Sequence, residues 1–158
     1  MTTLSYPSDL APPLPSISID VPDGWSPMAA PDVLLAAGAP SDGGSFRSNI
    51  TISAQRLLEG VDLAALEARL LDQLHATYPD LEEADRFAGE LDGHDARVAE
   101  YAFTDPSAGT LFQVQAVVLT KPRAGLQDLV QVHATCAAAR AVDEVSQLRT
   151  IFRSLRLG

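Results

Sequence analysis

The sequence predicts an α+β domain with a central antiparallel β-sheet of about six to seven strands, flanked by helices. Three observations predict this class. Apolar residues alternate with period two in several short segments, and in two other segments they recur at helical spacing. The predicted strands also follow one another in runs instead of alternating with helices, which is typical of an antiparallel sheet. A chain of 158 residues, 46% of them hydrophobic, fits one domain with its own core.

The N-terminal part of the sequence predicts an arm followed by three strands. Four prolines within the first 15 residues disfavour regular helix, so we interpret residues 1–14 as an extended proline-bearing arm and residues 15–158 as the single domain. The predicted strands cover residues 17–21, 33–37 and 46–52. The first of them ends at a Pro-Asp-Gly turn signal.

Helical periodicity appears twice. The first predicted helix starts at Asp62, a plausible N-cap, and its pattern stops at Pro79. Its apolar stripe consists of Leu63, Leu66, Leu70 and Leu74. The second predicted helix covers residues 142–157, with acids in its first turn and arginines late, as the helix dipole favours. Its stripe consists of Val145, Leu148, Phe152 and Leu155.

Four further strands are predicted between the two helices, and short turns connect them into an antiparallel meander. They cover residues 81–91, 96–103, 110–119 and 126–136. The last two of these strands have one apolar face and one mixed face. We therefore expect a helix, the arm or a partner to cover part of the second face of the sheet.

Charge narrows the range of partners. The chain has 21 acidic and 11 basic side chains and a net charge of −10, which repels phosphate backbones and anionic lipids. Nucleic acid and anionic membrane surfaces are therefore not expected partners. Residues 59–105 contain 13 acids and three arginines, again a net −10. This acidic stretch is either a solvated surface or a docking surface for a basic partner.

Compartment and chemistry are predicted mainly by what the sequence lacks. With one cysteine, Cys136, it allows no intrachain disulfide, and it shows no signal peptide. Taking Met1 as the native start, we expect a cytoplasmic protein. We find no nucleophile elbow, phosphate loop or metal-ligand spacing, and Cys136 and two of the histidines have structural explanations. The sequence therefore predicts no catalytic residue, no metal and no cofactor.

Candidate binding residues come from the polar positions of the strands and from the lone tryptophan. Asn49 belongs to the polar face of the third strand, and the glutamines and the histidine belong to the mixed faces of the last two strands. Trp25, after the Pro-Asp-Gly turn, either anchors that turn to the core or stacks on a ligand. The candidates are Trp25, Asn49, Gln113, Gln115, Gln131 and His133.

Four segments carry a resemblance to a known family. They are Ile-Ser-Ile-Asp-Val at 17–21, Pro-Asp-Gly-Trp at 22–25, Phe-Arg-Ser-Asn-Ile-Thr-Ile at 46–52 and Leu-Arg-Thr-Ile-Phe-Arg-Ser-Leu at 148–155. Over about residues 15–157 the chain resembles the LpqN/LpqT group of actinobacterial proteins, within the PsbP-like superfamily. The resemblance implies a PsbP-like α/β/α sandwich and a superfamily of non-enzymatic adaptors, assembly factors and secretion-associated chaperones. Members of the LpqN type are exported lipoproteins, and this sequence shows neither their leader nor their acylated cysteine.

Three hypotheses about function follow. The first is a non-catalytic protein-binding or adaptor domain, with a secretion-associated chaperone as one form of it and a protein client as its partner. The second is a carrier of a small apolar ligand. The third, least favoured, is an enzyme in which His133 meets a carboxylate that is distant in sequence. A homodimer is a further alternative that the sequence leaves open.

Overall fold

The computed structural model describes residues 1–41, 43 and 46–158. Its helices and strands are, in chain order, β1 Ile17–Ser18, β2 Ser26–Pro27, β3 Leu35–Gly38, β4 Asn49–Leu58, α1 Leu63–Thr77, β5 Glu82–Leu91, β6 His94–Asp105, β7 Gly109–Leu119, β8 Leu126–Ala137, α2 Ala141–Arg153 and β9 Arg156–Leu157. Seven strands form one sheet in the order β2-β3-β4-β8-β7-β6-β5, and all neighbours in it are antiparallel. The predicted α+β class is confirmed.

The two helices pack on opposite faces of this sheet. On the α2 face, Leu148, Ile151 and Phe152 join the inward residues of the central strands, such as Ile52 and Val132, in the larger core cluster. On the opposite, α1 face, two smaller clusters form. Leu71 packs with Tyr101, Phe103 and Leu111, while Leu66 and Leu70 pack with Val117 and Leu129. The α/β/α sandwich predicted from the resemblance is therefore present.

Local sequence signals set the start and end of α1. The carboxylate of Asp62 accepts a hydrogen bond from the backbone N–H of Ala65 at 3.1 Å, as an N-cap does. The helix ends at Thr77, two residues before Pro79, which cannot continue it. Among the described residues no helix is long and apolar enough to cross a membrane.

The structure corrects the two terminal elements of the prediction. The last helix ends at Arg153 and not at residue 157, because Ser154 closes it and its hydroxyl accepts a hydrogen bond from Asp20 N–H. Arg156–Leu157 then pairs with Ile17–Ser18 in a separate two-stranded sheet. The strand predicted at 17–21 is therefore wrong beyond residue 18. Ile19 and Val21 still pack against the core from irregular backbone.

Two further boundaries differ from the prediction. The strand expected at 46–52 starts only at Asn49, and just before it the Arg47 side chain donates hydrogen bonds to the carbonyls of Gly38 and Ala39. It continues to Leu58, because β8 pairs with it as far as Leu126. The sequence also gave no sign of the two-residue edge strand Ser26–Pro27. The strand expected at 33–37 is Leu35–Gly38.

The N-terminal arm contains no helix or strand. Pro12 is buried, and with Pro13 and Pro15 it lines a pocket beside Arg56, near the end of β4, and Asp128, near the start of β8. The arm therefore contacts the sheet near residues 12–15. The division into an arm at 1–14 and a domain at 15–158 stays a prediction.

Candidate functional site

Five of the six candidate residues lie together on the α1 face, in neighbouring strands. Asn49 of β4 pairs with Thr135 of β8, which pairs in turn with Gln113 of β7. His133 pairs with Gln115 two residues along the ladder, on the same face. Gln131 lies two residues before His133 on β8, so its side chain points to the same face. The strand register thus gathers residues that are far apart in sequence.

A cleft separates this part of the sheet from α1. Helix α1 packs over β6 and β7, and its Leu66 and Leu70 reach Leu129 near the start of β8. Further along β8, Gln131 and His133 line the cleft beside the helix. The cleft has a volume of about 310 Å³ and is open to solvent. Its lining residues are Leu70, Gln73, Leu74, Thr77, Gln115, Gln131 and His133. We call this feature the α1 cleft; in the part of the chain that the structure describes, its lining contains no carboxylate, lysine or arginine.

Hydrogen bonds fix one side of the α1 cleft. The buried Gln115 accepts at Oε1 from the Tyr101 hydroxyl at 3.0 Å, and the same atom lies 3.2 Å from His133 Nε2. Since a carbonyl oxygen only accepts, His133 Nε2 carries the ring proton and Nδ1 remains an acceptor. Burial lowers the pKa of His133 to about 4, although part of the ring still borders the cleft. The ring is therefore neutral at pH 7.

Two side chains of the cleft, one on α1 and one on β8, have unused hydrogen-bonding capacity. The side-chain amides of Gln73 and Gln131 form no hydrogen bond with the described residues. The Thr77 hydroxyl donates to the Gln73 carbonyl at 3.0 Å. The sequence analysis missed Gln73 and Thr77, because it considered only the leucine stripe of this helix. Their spacing of four residues beside Leu70 and Leu74 was the available signal.

We expect His133 to make the protein less stable as the pH falls from about 6.5 to 4. In this window the unfolded chain, with an ordinary histidine pKa, binds a proton that folded His133 does not bind. The loss in the free energy of unfolding should be on the order of 2 kcal/mol, less than the full pKa shift implies because the ring is only half-buried. Above about pH 6.5 His133 causes no such loss, because its ring is neutral in both the folded and the unfolded chain. Urea unfolding of His133→Gln across this range measures it.

The matched control is His75→Gln, since His75 is exposed on α1. His133→Gln should lose distinctly less stability than the parent protein between pH 6.5 and 4, while His75→Gln should follow the parent. Parallel curves for all three proteins would contradict the buried, neutral state of His133.

Trp25 does not join the other five candidates. It lies directly before β2 and packs against the core of the α2 face, and its backbone N–H bonds to the Pro22 carbonyl at 3.1 Å. The sheet therefore separates it from the α1 cleft. This position fits the anchoring alternative for Trp25.

Outside the α1 cleft, the groups to consider for chemistry are the thiol of Cys136 and the side chains that could bind a metal. Cys136 is buried on the α2 face, and burial, reinforced by the charge of Glu144, raises the pKa of its thiol to about 11. Such a thiol carries little thiolate at neutral pH. Within residues 1–41, 43 and 46–158, no three His, Cys, Asp or Glu side chains lie close enough together to hold a metal ion.

Two buried acids attach the helices to the sheet, and the sequence analysis did not single them out. Glu67 of α1 is fully buried, and its Oε1 accepts from Arg86 at 2.9 Å and from Arg97 at 2.8 Å. On the opposite face, Glu100 accepts two hydrogen bonds of 2.6 Å from Arg149 of α2. Both are charge-assisted contacts that fix how a helix sits on the sheet.

Several solved structures share this fold. LpqN of Mycobacterium tuberculosis, involved in cell envelope biogenesis, superposes with a TM-score of 0.70 at 17% identity, over 90% of this chain and 83% of that one. The cyanobacterial PsbP of Synechocystis sp. PCC 6803 has a TM-score of 0.63 at 14% identity, over 100% of this chain and 99% of that one. The Saccharomyces cerevisiae Ran-binding protein Mog1p has a TM-score of 0.57 at 12% identity, over 89% of each chain.

These likenesses establish the fold, and they confirm the predicted similarity to LpqN and to PsbP. No curated protein sequence matches the chain. A family model described as DcrB matches residues 18–154, a span that contains all seven strands of the main sheet and both helices. Since the match covers most of the chain, the protein belongs to the DcrB family.

Proposed function

We propose that this chain is a non-catalytic protein-binding domain that holds an uncharged segment of a partner protein in the α1 cleft. One observation carries the proposal. In a chain of net charge −10, this cleft is lined by neutral side chains that still have hydrogen-bonding capacity. An adaptor or a secretion-associated chaperone acting in the cytoplasm is the form of this function that the sequence analysis favours.

The chemistry of the cleft suits a peptide segment. Gln73 and Gln131 offer amide donors and acceptors, and His133 Nδ1 offers an acceptor, which match the N–H and C=O groups of a backbone. Leu70 and Leu74 add apolar contact. A charged ligand would meet no opposite charge among the side chains that line the cleft.

The two alternatives fit the structure less well. The cleft between β5 and α2 is mostly apolar but has a volume of about 180 Å³, whereas pockets for small ligands usually enclose about 300–1,000 Å³. An enzyme based on His133 would need a carboxylate to orient the ring. Gln115 occupies that place, and an imidazole whose pKa is about 4 is a weak general base.

The fold relatives are compatible with a binding function. Mog1p, which has this fold, is a Ran-binding protein, so the sandwich is used elsewhere for protein recognition. LpqN, another relative, is involved in cell envelope biogenesis. Identities of 12–17% do not carry either partner or process over to this chain.

Site-specific photo-cross-linking in the source organism tests the proposal. Benzoylphenylalanine replaces Gln73 at the rim of the cleft or, as a control, Gln147 on the exposed side of α2. We expect a polypeptide that cross-links from position 73 and not from position 147. This polypeptide is then identified by mass spectrometry, purified, and titrated against two variants.

The two variants carry the same added charge on the same helix. Gln73→Arg with Thr77→Arg places two guanidinium groups at the cleft and should weaken binding about tenfold or more, since any polar contact there loses its partner. Ala65→Arg with Ala76→Arg, at exposed positions outside the cleft lining, should leave the affinity within about twofold. Equal losses in both variants, or cross-linking from position 147 alone, would reject the cleft. A bound small neutral molecule in native mass spectra would favour a carrier instead.

A further inference from the structure

Strand β5 forms a long and open edge of the sheet. It runs for ten residues, Glu82–Leu91, and is the last strand in the sheet order. Its ladder partner is β6, and residues 82–90 are all exposed. The backbone N–H and C=O groups on the outer side of β5 therefore have no strand to pair with among the described residues. Such an edge is a template for an added strand.

The opposite edge of the sheet is built differently. It is formed by β2, which has two residues, Ser26–Pro27. Pro27 has no backbone N–H to donate, and so short a strand gives an added chain little to pair with. Among the described residues, β5 is therefore the edge of the main sheet suited to strand addition.

The side chains of β5 make this edge acidic. Glu82, Glu83, Asp85 and Glu90 oppose one cation, Arg86, so the strand has a net charge of −3. Arg86 is already engaged by Glu67 at 2.9 Å. Glu90 lies directly opposite Asp95 in the ladder, and both are exposed. Like charges opposite each other destabilise a strand pair, and a cation placed between them would relieve the repulsion.

An apolar recess adjoins the same edge on the α2 face. It is lined by Phe87 of β5, Val98 of β6 and Phe152 of α2, among others, and has a volume of about 180 Å³. Phe87 is 47% exposed. A Cβ atom on Gly89 would meet no atom within 4 Å, so the absence of a side chain there keeps the recess open.

We propose that β5 accepts an extended basic segment of a partner protein as an additional antiparallel or parallel strand. Basic side chains of the segment lie on the α1 face near Glu83 and Glu90, and apolar side chains lie on the α2 face beside Phe87. A second copy of this chain does not fit as well. Its own β5 also has a net charge of −3, so the two edges would repel each other. The β5 edge is separate from the α1 cleft, so failure of either leaves the other standing.

The probe is a fluorescein-labelled ten-residue peptide that alternates lysine and valine. Fluorescence anisotropy at low salt gives its affinity, and amide hydrogen exchange followed by NMR locates it. We expect binding together with slower exchange in residues 82–91. A peptide with proline at every valine position keeps the charge but cannot pair as a strand, so it should bind at least about tenfold more weakly.

Two matched charge-reversal variants test whether the acidic side chains of β5 contribute to the affinity for the peptide. Glu83→Lys with Glu90→Lys changes the α1 face of β5, while Asp23→Lys with Asp32→Lys makes the same charge change at exposed positions before and after β2. The β5 variant should lose about tenfold in affinity, and the control should lose about twofold or less. Gly89→Leu should fill the recess and also weaken binding of the valine-bearing peptide.

Three outcomes would overturn the proposal. The first is an equal loss of affinity in both charge-reversal variants, which indicates only long-range attraction. The second is unchanged exchange in β5 when the peptide binds. The third is exchange in β5 that slows as the concentration of the peptide-free protein rises, which identifies a second copy as the occupant.

Discussion

Leu148→Ala is expected to lower the free energy of unfolding by about 4 kcal/mol. Leu148 is fully buried in α2, where it packs with Ile151 and Phe152 against the central strands. Truncating such a leucine removes its transfer free energy and leaves a cavity that the sheet cannot collapse to fill. Urea unfolding followed by circular dichroism measures the change as a shift of the midpoint at constant slope.

Val142→Ala is the control for this prediction. Val142 lies on the same helix, but its side chain is exposed. Its replacement should change the free energy of unfolding by less than about 0.5 kcal/mol. If both variants unfolded at the parent's midpoint, α2 would not be part of the core of the sandwich.

Glu67→Ala is the second change with a large expected effect. The carboxylate of Glu67 is fully buried and forms ion pairs with Arg86 and Arg97, which belong to two different strands. Among the described residues, removing it leaves Arg97 without its ion-pair partner and Arg86 with only Glu83 at 4.0 Å. The usual cost of breaking a buried ion pair is about 3–5 kcal/mol. Because both arginines are partly exposed and can regain water, we expect a loss of about 3 kcal/mol.

Asp72→Ala on the same helix is the matched removal of an acid, because Asp72 is exposed. It should alter stability by less than about 0.5 kcal/mol. A Glu67→Ala protein as stable as Asp72→Ala would mean that the ion pairs do not fix α1 on the sheet. Thermal unfolding of both variants at low and at high salt would decide this.

Much of the fold could be predicted because local signals agree along most of the chain. Period-two alternation and turn residues located the four strands between the helices to within a few residues, and Asp62 marked the start of α1. The pairing of β1 with β9 left no such signal, since each strand has two residues and their partners are 138 and 140 positions away. Leu155 misled the prediction for α2, because it is buried although the helix has already ended.

The site could be predicted only in part for a similar reason. Face alternation grouped Gln113 with Gln115, and Gln131 with His133, on the mixed faces of their strands. The register that brings these faces together and sets Asn49 beside Thr135 depends on how the whole sheet packs. The burial of Glu67 depends on arginines 19 and 30 positions further along the chain. Nothing in the helical pattern distinguishes that glutamate from a solvated one.

The central claim, that the α1 cleft binds a protein segment, is tested most directly by an NMR titration. The ¹⁵N-labelled protein is titrated with the purified polypeptide that cross-links from position 73, and the shifts of the backbone amides are followed. We expect the largest changes in residues 70–77 of α1 and 131–133 of β8. Shift changes confined to α2 or to the N-terminal arm, with the amide shifts of residues 70–77 and 131–133 unchanged, would contradict binding in the α1 cleft.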